Sequence, residues 1–245
     1  MDRYGYLGPQ GTFAEMALLA WPDATGAEHI PFGSVDAALA AVRSGTVEAA
    51  MVPIENSVEG GVTATLDALA QGRPLVIIGE VLVPITFVLA VRPGTSLAVV
   101  RAIGTHSHAW AQVRAWAGAY LPDATYVPTL STAASAADLA QGDGDGPSYQ
   151  GAVCAPVAAE HYGLEVLEHD VGDNPNAVTR FVVVTRPGVI PAPTGTDKTT
   201  LVLFQKEDHA GGLLELLEQF AVRGINMTRL ESRPTGASMG SYCFS

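Results

Sequence analysis

Short apolar runs alternate along most of this chain with longer alanine-rich segments, and that alternation limits the fold more than any other feature. AAMVPI at 49–54 and GAVC at 151–154 read as buried strands, whereas SVDAALAAVRSG at 34–45 carries a helical period with Ser34 to start it and Gly45 to stop it. Alternation of this kind predicts an α/β fold built on parallel strands. The strands expected are Arg3 to Leu7, Ala49 to Ile54, Leu75 to Val91 in two pieces, Arg101 to Gly104, Gly151 to Cys154 and Arg180 to Thr185. Thr12 followed by Glu15 has the spacing of a capping box and starts another helix.

The pattern breaks at RPGVIPAPTGTD, residues 186–197, where proline and glycine leave a linker. A second domain is expected after it: a strand in TTLVLFQ, a helix from about Gly211 to Val222, a strand in INMTRLES, a turn with Pro234 and Gly236, and a strand from Met239. QGDGDGPSYQG at 141–151 reads as a flexible loop inside the first domain.

With 245 residues, 48% of them hydrophobic and 16% charged, the chain can bury a core for one large or two ordinary domains. A net charge of -12, with 13 Lys and Arg in no basic run, argues against nucleic acid or an anionic membrane as partner, without excluding an anionic substrate. The 2 cysteines, Cys154 and Cys243, have neither metal-ligand spacing nor a disulfide framework, which fits a reducing compartment. Glu80 and Pro84 interrupt the longest apolar tract, so it reads as strands and not a membrane span, and no secretory signal is visible. A cytoplasmic location is expected.

Four segments could carry chemistry. In GPQGTFAE (8–15) and VPIENSVEGG (52–61), glycines sit between a strand and a helix, where backbone N–H groups can approach an anion; tight turns would use the same residues. Glu55, Asn56 and Ser57 leave the end of a strand, the edge of an α/β sheet where ligands collect. DNPNAVTRF (173–181) places Thr179, Arg180 and Phe181 at a strand mouth, although Arg180 could equally pair with an acid and Phe181 belong to the core. THSHAWAQVRAW (105–116) holds His106 and His108 without further metal ligands, followed by a helix whose Trp110, Val113 and Trp116 read as core. There is no P-loop or dinucleotide fingerprint, which disfavours nucleotide chemistry.

Taken in order, GPQGTFAE, PIENSVEGG, the stretch from His106 to Gln112 and the TRF before the linker resemble the motifs of the prephenate dehydratases. The segment from Lys198 onward is similar to that family's ACT regulatory domain, including Glu231-Ser232-Arg233-Pro234. The resemblance implies a catalytic domain at 1–186 of two lobes, similar to type-2 periplasmic binding proteins. Lobe one would hold about 1–79 with 179–186, and lobe two about 80–178. A linker at 187–197 and a ferredoxin-like α+β ACT domain at 198–245 would complete the chain. That ACT domain halts in its third strand, so weakened or altered phenylalanine control is expected.

By the same resemblance the chain converts prephenate to phenylpyruvate without cofactor or metal. Thr179, Arg180, Phe181, Glu55, Asn56 and Ser57 would be catalytic, and Gly11, Thr12, Phe13, His106 and Gln112 would bind substrate. Phenylalanine would contact Gly211, Gly212, Leu213, Asn226 and Glu231 to Pro234, in a homodimer or homotetramer. Two departures stand out: Ala177 replaces an asparagine common in the family, and Ala210-Gly211-Gly212-Leu213 replaces Pro-Gly-Ala-Leu. The alternatives are an arogenate dehydratase and a non-catalytic ligand sensor.

Overall fold

The computed structural model describes residues 2–58, 60–142, 147–188, 190–205, 209–234 and 242–244. The first sheet begins with β1 (Arg3–Leu7), followed by α1 (Phe13–Leu19), β2 (Glu28–Phe32), α2 (Val35–Ser44) and β3 (Ala49–Asn56). A two-residue β4 (Gly60–Gly61), α3 (Thr63–Ala70) and β5 (Val76–Pro84) follow. Local signals account for the helix starts: the hydroxyls of Thr12 and Ser34 accept from Glu15 N and Ala37 N, and Gly45 ends α2 in the left-handed region. α1 covers one face of the sheet, and α2 and α3 cover the other.

The second sheet is built from β6 (Val88–Val91), β7 (Ala102–Thr105), α4 (Ser107–Ala111), α5 (Arg114–Tyr120), β8 (Thr125–Pro128), α6 (Thr132–Ala140), β9 (Gly151–Cys154), α7 (Pro156–His161) and β10 (Glu165–Glu168). The chain then returns to the first sheet as β11 (Val178–Thr185). The strand orders are β2-β1-β3-β11-β5, with β4 beside β3, and β10-β6-β9-β7-β8. The two crossings run side by side, tied by Ile85 N to Ala177 O at 2.8 Å and Val171 N to Phe87 O at 3.0 Å. One apolar cluster continues from Tyr6 and Met51 through Phe87 to Leu89, Ile103 and Val153, joining both sheets.

The expectation of parallel strands needs correction. β1 is parallel to β2 and β3, but β11 runs antiparallel to both β3 and β5, and β6 antiparallel to β9 and β10. The cause is the double crossing: a strand returning from the second sheet enters the first one against the direction of its neighbours. The helix expected after His106 is also two helices, because the Asp173 carboxylate accepts from Ala115 N and Trp116 N at 3.0 and 2.9 Å and starts α5 afresh. Trp110 and Trp116 pack on the core and Val113 is buried, as the spacing predicts.

After the linker come β12 (Leu203–Phe204), α8 (Gly212–Ala221), β13 (Ser232–Pro234) and β14 (Tyr242–Phe244), a third sheet of order β12-β14-β13. β14 is antiparallel to both neighbours, so β12, α8 and β13 form a split β-α-β unit. TTLVLFQ is a strand only at Leu203–Phe204, and INMTRLES is irregular until Ser232. Residues 235–241, where the sequence predicts the turn and the start of the last strand, lie outside the described residues, as do 143–146 of the glycine-rich loop. The linker is anchored where it begins: Arg186 donates to Val42 O and Val47 O and pairs with Glu48.

Candidate active site

Side chains alternate across a strand, and β11 divides its residues between two environments. Phe181 and Val183 belong to the cluster that joins the two sheets, whereas Val182 and Val184 pack with α2 and α3. Thr179 therefore shares a face with Phe181, and Arg180 points to the opposite side.

On the first face, Thr179 is 6% exposed and lies opposite Asn56 of β3. Asn56 donates from Nδ2 to Thr179 Oγ1 at 2.9 Å, while its Oδ1 accepts from Val58 N at 2.8 Å. The second bond fixes the amide's orientation, because an Oδ1 held by Val58 N–H leaves only the NH₂ to face the threonine. Ser57 joins the same edge through a reciprocal pair, its N–H to Val178 O and its hydroxyl accepting from Val178 N, both at 2.9 Å. Among the described residues the threonine oxygen thus receives one hydrogen bond, and its own hydrogen is directed elsewhere than to Asn56. Polarised in this way, the hydroxyl is a better donor than an isolated one.

The GPQGTFAE segment sits where the two sheets meet. Tyr162 donates from its hydroxyl to Gln10 O at 3.3 Å, Phe13 meets Phe87 edge to face at 5.7 Å, and Gly11 presses against Ala158. The anion that this helix start could have bound is supplied from within. Glu15 accepts Gly11 N–H at 2.6 Å and the Tyr6 hydroxyl at 3.2 Å, and Thr12 Oγ1 donates to Leu7 O at 3.0 Å. Gly11 and Thr12 are consequently occupied with structure, and Phe13 is the member of this segment that offers a wall. Glu15 also completes its capping box unconventionally, on the residue before the cap.

His106 starts α4, its Nδ1 accepting from His108 N at 3.3 Å, and the two rings meet edge to face at 4.9 Å. Gln112 donates to His108 O at 3.3 Å and accepts Asp173 N–H on its own carbonyl at 2.7 Å. These bonds tie the DNPN loop to the end of α4. Asn176 is exposed, and Ala177 is buried with its carbonyl held by Ile85 N.

Glu55 and Arg180 do not join Thr179, which corrects the expectation of one catalytic cluster. Consecutive residues of a strand face opposite ways, so Arg180 bonds Glu55 at 3.1 Å and also pairs with Glu80, on the far side of the sheet. Glu80, and to a lesser extent Glu55, hold this guanidinium charged more firmly than usual. Sequence reading missed Glu80, treating it as an interruption of an apolar tract. A charge inside such a tract was itself the available signal, since a buried strand tolerates one only with a partner. These three residues line a cavity of about 750 Å³ between β11 and the C-terminal unit, to which Leu213 and Asn226 also contribute. Neither Thr179 nor Asn56 reaches it.

The remaining C-terminal candidates split as well. Gly211 precedes α8 in the left-handed region, and Gly212 is buried against Gln205. Glu231 accepts from Arg229, and Arg233 grips Asp67 of α3 with two bonds of 2.8 Å. Ser232 is an exposed residue of β13, which Pro234 ends.

The sequence profile of the family described as prephenate dehydratase matches residues 4–188. A prephenate dehydratase from Mycolicibacterium vanbaalenii is 47% identical, aligned over 100% of this chain and 80% of that protein. The crystal structure of a prephenate dehydratase in complex with L-Phe, from Arthrobacter aurescens, superposes with a TM-score of 0.92 at 58% identity, covering 99% of this chain and 78% of that one. A protein described as a novel type of quorum-quenching acylase, GqqA, superposes at 0.82 with 31% identity, over 99% and 85%.

Proposed function

The chain belongs to the prephenate dehydratase family, and from that premise we propose that it converts prephenate to phenylpyruvate, with Thr179 assisting the departure of the ring hydroxyl. The reaction breaks the bond between the ring and its carboxylate, releasing carbon dioxide, and the freed electron pair completes the aromatic ring as the hydroxyl leaves. With one proton the hydroxyl departs as water, so atoms and charge balance without cofactor or metal. Aromatisation supplies the driving force, and the barrier is the poor leaving group. A positioned hydrogen-bond donor at that oxygen lowers it.

The observation that carries this reading is the oriented Asn56 amide on Thr179 Oγ1, which leaves the threonine hydrogen as the one to be given. Ser57 holds the strand edge beside it, Phe181 forms the apolar floor beneath, and Phe13, His106 and Gln112 complete the walls where the sheets meet. Arg180, Glu55 and Glu80 act as a framework on the reverse face. In this reading the first and second sheets are the two lobes of a cleft of the type-2 periplasmic-binding-protein kind, within a cytoplasmic enzyme. Residues 198–245 form an ACT-type module in a homodimer or homotetramer. Phenylalanine acts as effector on that module through Gly211 to Leu213, Asn226 and Glu231 to Pro234, a reading supported by the relative bound to L-Phe.

The test is to incubate purified protein with prephenate at neutral pH and read phenylpyruvate absorbance in alkali, with arogenate in parallel. Wild type is expected to exceed buffer by orders of magnitude, and Thr179→Ala to lose roughly 10²-fold or more in kcat. Near-normal turnover in that variant would remove Thr179 from the mechanism. Because of the acylase relative, amide hydrolysis is the control reaction, expected to be absent: Asn56 donates to Thr179 and offers no base to activate it as a nucleophile.

A further inference from the structure

We infer that Arg229 is a positioning residue for the reaction at Thr179, acting through the β3–β4 hairpin that carries Asn56 and Ser57. The chemistry in this inference rests on the dehydratase reading, and the mechanics rest on geometry alone. β3 does not pair uniformly with β11: Arg180 lies opposite Glu55, but Phe181 lies opposite Pro53, so Ile54 is the extra residue of a β-bulge. The bulge sets which residues of β3 come next, and therefore that Asn56 meets Thr179.

The Ile54 carbonyl is held from outside the first sheet. It accepts Val62 N at 2.9 Å across the hairpin and Arg229 Nη1 at 3.3 Å from the C-terminal unit. Glu231 fixes that guanidinium, accepting from both Nε and Nη2. An exposed ion pair two residues apart would ordinarily contribute little. This pair is more enclosed, with side chains 26% and 29% exposed, and the arginine has a second partner in the bulge. Gly61 makes room for it, since a Cβ there would collide with the guanidinium. Backbone angles do not demand glycine at this position, because only Gly60 of the pair has a positive φ.

A second clamp lies a few residues further along, where Arg233 holds Asp67 of α3. The segment bearing Asn56 and Ser57 is thus gripped at Ile54 and beyond its far end at Asp67. Loss of Arg229 leaves the second grip intact, so its variants report on the hairpin and not on undocking of the C-terminal unit.

The experiment uses the full chain with Arg229→Ala, Arg229→Lys, Gly61→Ala and the Gly61→Ala/Arg229→Ala pair. Arg229→Ala should lower kcat roughly tenfold, since a small misplacement of a positioned group is enough, while KM for prephenate changes by less than about twofold. Lysine, which can still donate to Ile54 O, should recover part of the loss. Gly61→Ala should reproduce the alanine variant, and the double variant should add nothing to it, because both remove one contact. Amide exchange at Ser57 and Val178, read without substrate, should accelerate in Arg229→Ala. Unchanged exchange overturns the inference whatever the activity, and so does unchanged kcat beside an active wild type. An inactive wild type would instead remove the dehydratase reading, with the exchange measurement still deciding the mechanical link.

Discussion

A threonine hydroxyl is a weak acid, and what makes Thr179 useful is the direction of its hydrogen bond. Asn56 gives and does not take, because Val58 N–H already occupies the amide oxygen. Asn56→Asp should therefore be as damaging as loss of the threonine: a carboxylate accepts the Thr179 hydrogen and withdraws it from the substrate. Steady-state turnover should fall roughly 10²-fold with the melting temperature little changed. Cys154, the buried last residue of β9, shows the opposite use of a polar atom. Burial pushes its thiol up to about 12 from an ordinary 9.0, so it is neither nucleophile nor ligand at neutral pH. An acid raised on folding stabilises fully below its unfolded value, and the contribution disappears as pH rises toward the folded value. Between pH 9 and about 12 this group should therefore reduce stability progressively as the pH rises. Tyr6 and Tyr149, raised by burial and in Tyr6 also by Glu15, add to the loss at higher pH. Denaturant midpoints measured across that range check it.

At the scale of elements, the strands legible in the sequence are the more continuously apolar ones, β5 at a sheet edge included. β2, β8 and β10 were not foreseen, and all three are sheet edges. EHIPF, TYVP and EVLE are short and half-exposed, and two of them contain proline, which an edge tolerates and a central strand does not. The strand-to-helix loop before α1 carries a sharper constraint. Gly11 has φ 83° and a Cβ would lie 2.9 Å from Ala158 Cα, across the contact between the two sheets. Gly11→Ala should destabilise by about 1–2 kcal/mol from the left-handed backbone alone, and by more through the wedge against α7. Calorimetric melting measures the first effect. A rise in KM exceeding that expected from stability loss would report the second.

For the whole molecule, among the described residues Arg229 and Arg233 of the C-terminal unit bond across to Ile54 O and to Asp67, and the Asp67 side chain lies outside both sets of proposed sites. Asp67→Asn should leave basal turnover within about twofold while shifting the phenylalanine dose–response, since a coupling contact alters the linkage between sites and not the chemistry; turnover titrated with phenylalanine measures both. By itself the sequence determined the α/β class, the order of motifs and the family they belong to, because glycine-bearing turns, buried strands and helix caps are local features that a linear reading contains. It also held a clue not used: consecutive residues of a strand face opposite ways, so Thr179 and Arg180 could not both enter one cleft. Only the tertiary structure decided the partners. Asn56 and Thr179 are 123 residues apart, and they meet because the chain crosses twice and β3 bulges at Ile54. Neither crossing nor bulge has a local signature, since strand register is set by packing between distant segments and not by the residues of either strand alone.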